Sequence, residues 1–238
     1  MKKFVQVLFS LWLVLLSGLL DGKPPHTSNR LIMDASAGQM FPSTPYYLMP
    51  RHHELGGGGI KLIKTGNSTY PNTILQYFPN DNFGLPIHLY ISVISLLLIF
   101  EGIPLAICME QNPACVISSV SVPIEGSGNP NSSRWLVFVD NSIQKTCVGT
   151  GGPEAHPGLL TYSGTFHIEI LEKDPLRYNS YKLVFCFAGS DYKNCSYIGT
   201  YDNGEGGRRL ILTETNPFLF SFFHIYNNSD GTIKSVVE

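Results

Sequence analysis

Residues 181–213, YKLVFCFAGSDYKNCSYIGTYDNGEGGRRLILT, constrain the fold of this chain more than any other stretch. Two strand-like runs, 181–185 and 209–213, bracket a polar segment that holds Cys186 and Cys195. Tyr181, Leu183 and Phe185 alternate with Lys182 and Val184, the period of two that marks a strand. The segment between the cysteines is short and rich in turn formers, and a local disulfide could close it. Asp202-Asn203-Gly204-Glu205-Gly206-Gly207 tolerates positive φ and predicts a turn ahead of Arg208-Arg209.

The rest of the chain suits the same architecture. Its 238 residues can bury a substantial core without relying on disulfides, and no long polar linker divides them, so one all-β domain is expected. Twenty-three glycines, 16 prolines and 12% aromatic residues fit many short strands joined by tight turns. Charged residues make up only 14% and the formal charge is −2, which argues against nucleic-acid binding, where clustered Lys and Arg must neutralise phosphates.

Lys2-Lys3 followed by an apolar run to Leu20 reads as a secretory signal over about residues 1–22, with Asp21 and Pro24-Pro25 beyond it. Extracellular or vacuolar delivery is expected, with no membrane association once the signal is removed. Cys186 and Cys195 should pair in an oxidising compartment. Cys108, Cys115 and Cys147 leave an odd count, and no C-x-x-C or H-x₃-H spacing suggests a metal. Asn67, Asn131, Asn194 and Asn227 each begin an N-x-[ST] acceptor for glycosylation.

The string Tyr181-Lys182-Leu183-Val184-Phe185-Cys186, then Cys195 with Ile198-Gly199, then Arg208-Arg209-Leu210, resembles the legume Kunitz inhibitors of the soybean trypsin inhibitor type. The small disulfide-dense animal Kunitz domain is a different fold. Asp34 with Gly38 and Tyr46-Tyr47-Leu48 look like the family's first-strand signature, from which Ala37 departs. Residues 56–59, all glycine, with Ile60-Lys61-Leu62 look like its glycine turn and second strand. The resemblance covers residues 31–238 as a single domain and implies a β-trefoil: a six-stranded barrel with a hairpin cap, built from three pseudo-repeats that are not visible in the sequence. It also implies a disulfide that cannot form as usual here, because Tyr70 stands where the family has the cysteine that pairs with Cys115. Cys115–Cys147 and Cys108–Cys147 are the two substitutes, and the sequence does not choose between them.

Inhibitors of this family act as substrate mimics, through a preorganised loop that enters a protease's active site. Residues 89–100, LYISVISLLLIF, carry no charge and are rich in β-branched side chains. They are too short to span a bilayer, and as a structural element they read as a buried strand pair. Counting back from Glu101-Gly102-Ile103-Pro104-Leu105, which looks like the strand after the reactive loop, places Ser95 at the centre. The presented bond would be Ser95–Leu96, flanked by Val93, Ile94 and Leu97. The acidic pocket of a trypsin-like enzyme wants Lys or Arg, and this stretch has neither. A serine endopeptidase with a small or apolar pocket is the expected partner, a cysteine protease the next class, and the inhibitor itself is expected to be monomeric. The asparagine that commonly supports the loop is replaced by Pro42 or Ser43, which puts loop rigidity in question.

Other functions fit less well. His53-Glu54 fails the H-E-x-x-H pattern because Gly57 takes the second histidine position, and no G-x-S-x-G elbow is present, so an enzyme is not expected and no cofactor is called for. Two tryptophans, Trp12 and Trp135, cannot supply the three Q-x-W repeats of a ricin-type lectin. A storage or defence trefoil that has lost inhibition is the strongest rival, since a fold does not fix a function.

Overall fold

Short apolar-alternating segments separated by Gly, Pro and Asn leave strand pairing as the main way to satisfy the backbone. The computed structural model describes residues 29–51, 57–66, 68, 70–80, 82–91, 97–109, 133–171, 179–188 and 195–224. They form thirteen strands: β1 (Pro45–Pro50), β2 (Ile60–Ile63), β3 (Thr73–Tyr77), β4 (Ile87–Ile91), β5 (Leu105–Met109), β6 (Trp135–Asp140), β7 (Lys145–Thr150), β8 (Thr161–Tyr162), β9 (Gly164–Ile170), β10 (Tyr181–Phe187), β11 (Cys195–Asp202), β12 (Gly207–Thr213) and β13 (Phe220–His224).

Six of them close a ring. β13 pairs with β1, β1 with β4, β4 with β5, β5 with β9, β9 with β10, and β10 returns to β13. The hairpins β2–β3, β6–β7 and β11–β12 form the cap, where β3, β7 and β12 pair with one another in a triangle. The chain therefore passes three times through one plan: barrel strand, cap hairpin, barrel strand. β8 is an addition to the second unit, paired with β6. This is the β-trefoil, and its threefold repeat lies in the register. Within the units Tyr46 faces Ile87, Leu105 faces Phe166 and Tyr181 faces Phe220. Between units Leu48 faces Phe222, Leu89 faces Ile107 and Ile168 faces Leu183. All twelve side chains belong to one buried core, each contributing roughly 1.5–3 kcal/mol by burial.

The cap is tight at its axis. Gly149 pairs with Thr73, and a Cβ there would stand 2.5 Å from the Asn72 carbonyl oxygen and 2.8 Å from the Phe138 ring. Arg209 is buried in this end, donating to Asp140 at 2.5 Å and to both oxygens of Glu205 at 2.6 Å. Burial alone would push the Asp140 carboxyl up, but hydrogen bonds from Ser142 and Arg209 outweigh it and hold the group below its usual range.

Several expectations change. Cys147 is a free thiol, so neither Cys115–Cys147 nor Cys108–Cys147 exists. The reason is placement: Cys147 sits on β7 inside the cap cluster with Phe138 and Ile211, and burial pushes its thiol up to about 11. Cys108 lies on barrel strand β5 and is disulfide-bonded, its partner being outside the described residues. Cys186 and Cys195 are bonded to each other across β10 and β11. β10 is buried on both faces, Val184 as well as Leu183. Its cross-strand partner His167 reaches the carbonyl of Gly102, so the turn at Gly102 overlies this outer face. That turn is itself a correction: Glu101-Gly102 is not strand, Gly102 has φ 74°, and β5 begins only at Leu105. The proposed signal at 1–22, Cys115, and the acceptors Asn67, Asn131, Asn194 and Asn227 lie outside the described residues.

Candidate functional site

β3 ends in the cap and β4 runs away from it, so the connection from β4 to β5 emerges at the opposite end of the barrel. Of the five residues proposed for the reactive loop, Val93, Ile94, Ser95 and Leu96 lie outside the described residues. Leu97 is described and is 79% exposed. Two residues later Ile99 is fully buried in the barrel core, and Glu101 is only 4% exposed. With Leu97 exposed, the described part of 89–100 is not a continuously buried strand pair. It changes from strand to exposed leucine and back to core within a few residues.

Both legs of this connection are fixed. On the incoming side, the Ser43 amide donates to the Leu89 carbonyl at 2.8 Å, and the His88 Nδ1–H donates to the Ser43 carbonyl at 3.0 Å. Ser43, with φ 64°, belongs to the 41–44 segment that precedes β1. On the outgoing side, the Ile99 amide donates to Met40 at 3.2 Å and its carbonyl accepts from Ile32 at 2.9 Å. Residues 39–44 therefore bridge the two legs by main-chain bonds. No asparagine amide is needed at Pro42 for that bridge.

Beyond Ile99 the anchoring is by side chains that sequence reasoning did not single out. The Glu101 carboxylate accepts from Arg30 Nε at 2.8 Å and Nη2 at 2.7 Å through one oxygen. Its other oxygen accepts from the Ile170 amide at 2.9 Å. One buried carboxylate thus ties the loop's outgoing leg to β9 and to the segment before β1. The Gly102 amide donates to the Ile168 carbonyl at 2.9 Å. The Gly102 carbonyl can only accept, so His167 Nδ1 carries the proton in their 2.9 Å contact, and Nε2 accepts from the Thr165 hydroxyl at 2.9 Å. Burial lowers the His167 pKa, partly offset by the Gly102 bond and by Glu169. The ring is therefore neutral at neutral pH. A lone acid closing an apolar run was the only sequence signal for this arrangement, and it reads equally well as a strand stop.

Among the described residues a cavity of about 230 Å³ lies in the cap, walled by Thr65, Asn72, Asp140, Ser142 and His156 among others. It is remote from the β4–β5 connection. At the uncapped end of the barrel, the described residues on either side of the β4–β5 connection are anchored to residues 39–44, to Arg30 and to β9.

Comparisons with known proteins give the family of this fold. Residues 32–224 match the family model of the legume Kunitz proteins, described as trypsin and protease inhibitors. Subtilisin inhibitor CLSI-II of Canavalia lineata is 44% identical over 205 residues, spanning 86% of this chain and 97% of that protein. Kunitz-type trypsin inhibitor-like 2 protein of Pisum sativum is 41% identical, over 87% of this chain and 86% of that one. The crystal structure of a Kunitz type trypsin inhibitor from Cicer arietinum superposes with a TM-score of 0.69 at 40% identity, covering 81% of this chain and 97% of that one. With the trefoil register, the local disulfide and these matches together, the chain belongs to the legume Kunitz family of protease inhibitors.

Proposed function

We propose that this protein is a secreted inhibitor of serine endopeptidases with small or apolar specificity pockets, and that it works by inserting the β4–β5 connection as a substrate mimic. The bond presented is Ser95–Leu96, with Val93, Ile94 and Leu97 beside it. The observation that carries this reading is the pairing of a 79% exposed Leu97 with a Glu101 that is 4% exposed and tied to two other segments. A connection so held loses little entropy on docking, which is what inhibition by a substrate-like loop requires. It also resists separation of the two ends after cleavage, which favours religation over release.

Specificity follows from charge. Residues 89–100 contain no Lys or Arg, so a trypsin-like pocket would bury its carboxylate unpaired, at a cost of roughly 2–5 kcal/mol. The related protein of Canavalia lineata is named a subtilisin inhibitor, in keeping with an apolar loop, whereas other relatives are named for trypsin. Delivery through the secretory pathway, to the cell exterior or the vacuole, and glycosylation at one or two of Asn67, Asn131, Asn194 and Asn227 belong to the same proposal.

The test is an inhibition panel of trypsin, chymotrypsin, elastase, subtilisin and a papain-like protease, with wild type and Ser95→Arg side by side. Wild type should inhibit one of the apolar-pocket serine enzymes and spare trypsin. Ser95→Arg should gain trypsin inhibition. A wild type inert on the whole panel, with a variant that gains nothing, refutes both the function and the loop assignment.

A further inference from the structure

Four large apolar side chains are strongly exposed among the described residues: Phe41, Tyr70, Leu97 and Leu160, at 48%, 60%, 79% and 58%. Phe41 and Leu97 fall at the same end of the barrel. Phe41 precedes β1, which runs toward the cap, and Leu97 follows β4, which runs away from it. Their segments are joined directly. Met40, next to Phe41, accepts the Ile99 amide, while Ser43 donates to Leu89, so Phe41 sits on the bridge between the two legs of the loop.

The bridge holds Phe41 in place without using its side chain. Its amide donates to the Tyr46 hydroxyl at 3.0 Å, and that tyrosine is 1% exposed, within the barrel core. Met40 on one side is fully buried, and Ser43 beyond Pro42 is set at φ 64°. The backbone on either side is thus pinned while the ring faces outward. A pinned aromatic ring loses little conformational entropy when covered, which is the property of residues that dominate interfaces. The barrel core is already closed by Tyr46, Leu48 and their partners, so the Phe41 ring is left 48% exposed and free to meet a partner.

From this we infer that Phe41 is a second, non-loop contact with the inhibited protease: an apolar specificity-determining residue that packs against the rim of the enzyme's substrate cleft when the β4–β5 connection enters it. This rests on the proposed inhibitory function and deepens it. The partner it selects is an endopeptidase whose cleft rim is apolar beside the specificity pocket. A rim bearing charged side chains at that point is disfavoured, because they would be desolvated against the ring.

The experiment measures inhibition constants for wild type, Phe41→Ala, Phe41→Asp, Phe41→Leu and Leu160→Ala, against whichever of subtilisin, chymotrypsin and elastase wild type inhibits best. Covering the exposed half of a phenylalanine predicts a rise in Ki of roughly 10- to 50-fold for Phe41→Ala, carried mainly by faster dissociation. Phe41→Asp should be weaker still. Phe41→Leu should recover to within about 5-fold of wild type, and Leu160→Ala, equally apolar but elsewhere, should stay within about 2-fold. Melting temperatures of all variants should match wild type, separating a contact role from a structural one. If wild type inhibits while Phe41→Ala and Phe41→Asp stay within about 2-fold of it, or Leu160→Ala is as damaged as Phe41→Ala, the inference fails and the inhibitory function stands. A wild type that self-associates and is made monomeric by Phe41→Asp would show a second copy covering the ring and also overturn it. A wild type inert against every enzyme removes the function and this inference together.

Discussion

Ala37 is a residue in a place that suits glycine. It has φ 60°, inside a turn that Asp34 organises by accepting the Ser36 amide at 2.9 Å and the Gly38 amide at 2.8 Å through one oxygen. The Ala37 amide also donates to the Asp34 carbonyl at 3.0 Å, so the left-handed conformation is imposed by the turn around it. An L-residue pays for that conformation through its Cβ, and glycine does not. Ala37→Gly is expected to raise unfolding stability by about 0.5–1 kcal/mol, after allowing for the greater freedom of glycine in the unfolded chain, and urea denaturation measures it. Lower stability would mean that the Ala37 methyl makes contacts worth more than the strain. The position was visible in the sequence as a departure from the family's pattern. The strain was not, because φ at one residue depends on carbonyls that only the folded turn brings together.

At the scale of elements, β10, β11 and β12 were legible because their alternation, cysteines and glycine turn are local. The β4–β5 connection was half legible. Its apolarity marked it, but the same composition describes a buried strand pair, and only Leu97 against Ile99 separates the two. The clamp around Glu101 could not be read, because its partners Arg30 and Ile170 are 71 and 69 residues away. It makes a sharp prediction. Glu101→Gln keeps the shape but removes the charge that Arg30 and the Ile170 amide share, so global stability should fall by about 2 kcal/mol in urea. The larger effect is expected on the loop. With its outgoing leg loosened, inhibition of the target enzyme should fade over hours as the proposed Ser95–Leu96 bond is cut and the ends separate. Arg30→Lys, which keeps the charge and one donor, should show much less of that decay. Time courses at matched occupancy distinguish the two, and an undiminished inhibition by Glu101→Gln would remove the clamp from the mechanism.

For the molecule as a whole, the threefold plan escaped the sequence because the equivalent positions share only burial: Tyr46, Leu105 and Tyr181 on one side, Ile87, Phe166 and Phe220 on the other. Symmetry of register does not need similarity of residues. Among the described residues, the same closed barrel and cap bury two histidines, His156 and His167, whose lowered pKa values give stability a pH dependence. His156 is 3% exposed, stacks on Phe138 at 4.2 Å, and donates from Nε2 to the Thr150 carbonyl at 3.0 Å. His167 is 1% exposed and holds Gly102. Burial lowers both pKa values from the ordinary 6.5, against smaller opposing effects of their hydrogen bonds and of Glu154 and Glu169. In the unfolded chain both rings protonate near the ordinary value, so below it the unfolded state binds more protons than the native state. The stability they permit is complete above about pH 6.5 and is lost progressively as pH falls from there through their lowered native values. The expected slope is up to about 1.4 kcal/mol per pH unit for each histidine. Asp140 and Glu205, lowered from 3.8 and 4.5, act later: what they contribute is present above those values and is lost only at more acid pH. Urea midpoints measured from pH 7.5 down to 5 should therefore decline before Asp140 and Glu205 titrate, and His167→Gln should remove about half of that slope. A stability that stays flat over this interval would mean that the two rings accept protons in place, and that the outgoing leg of the loop is held by something other than a neutral imidazole.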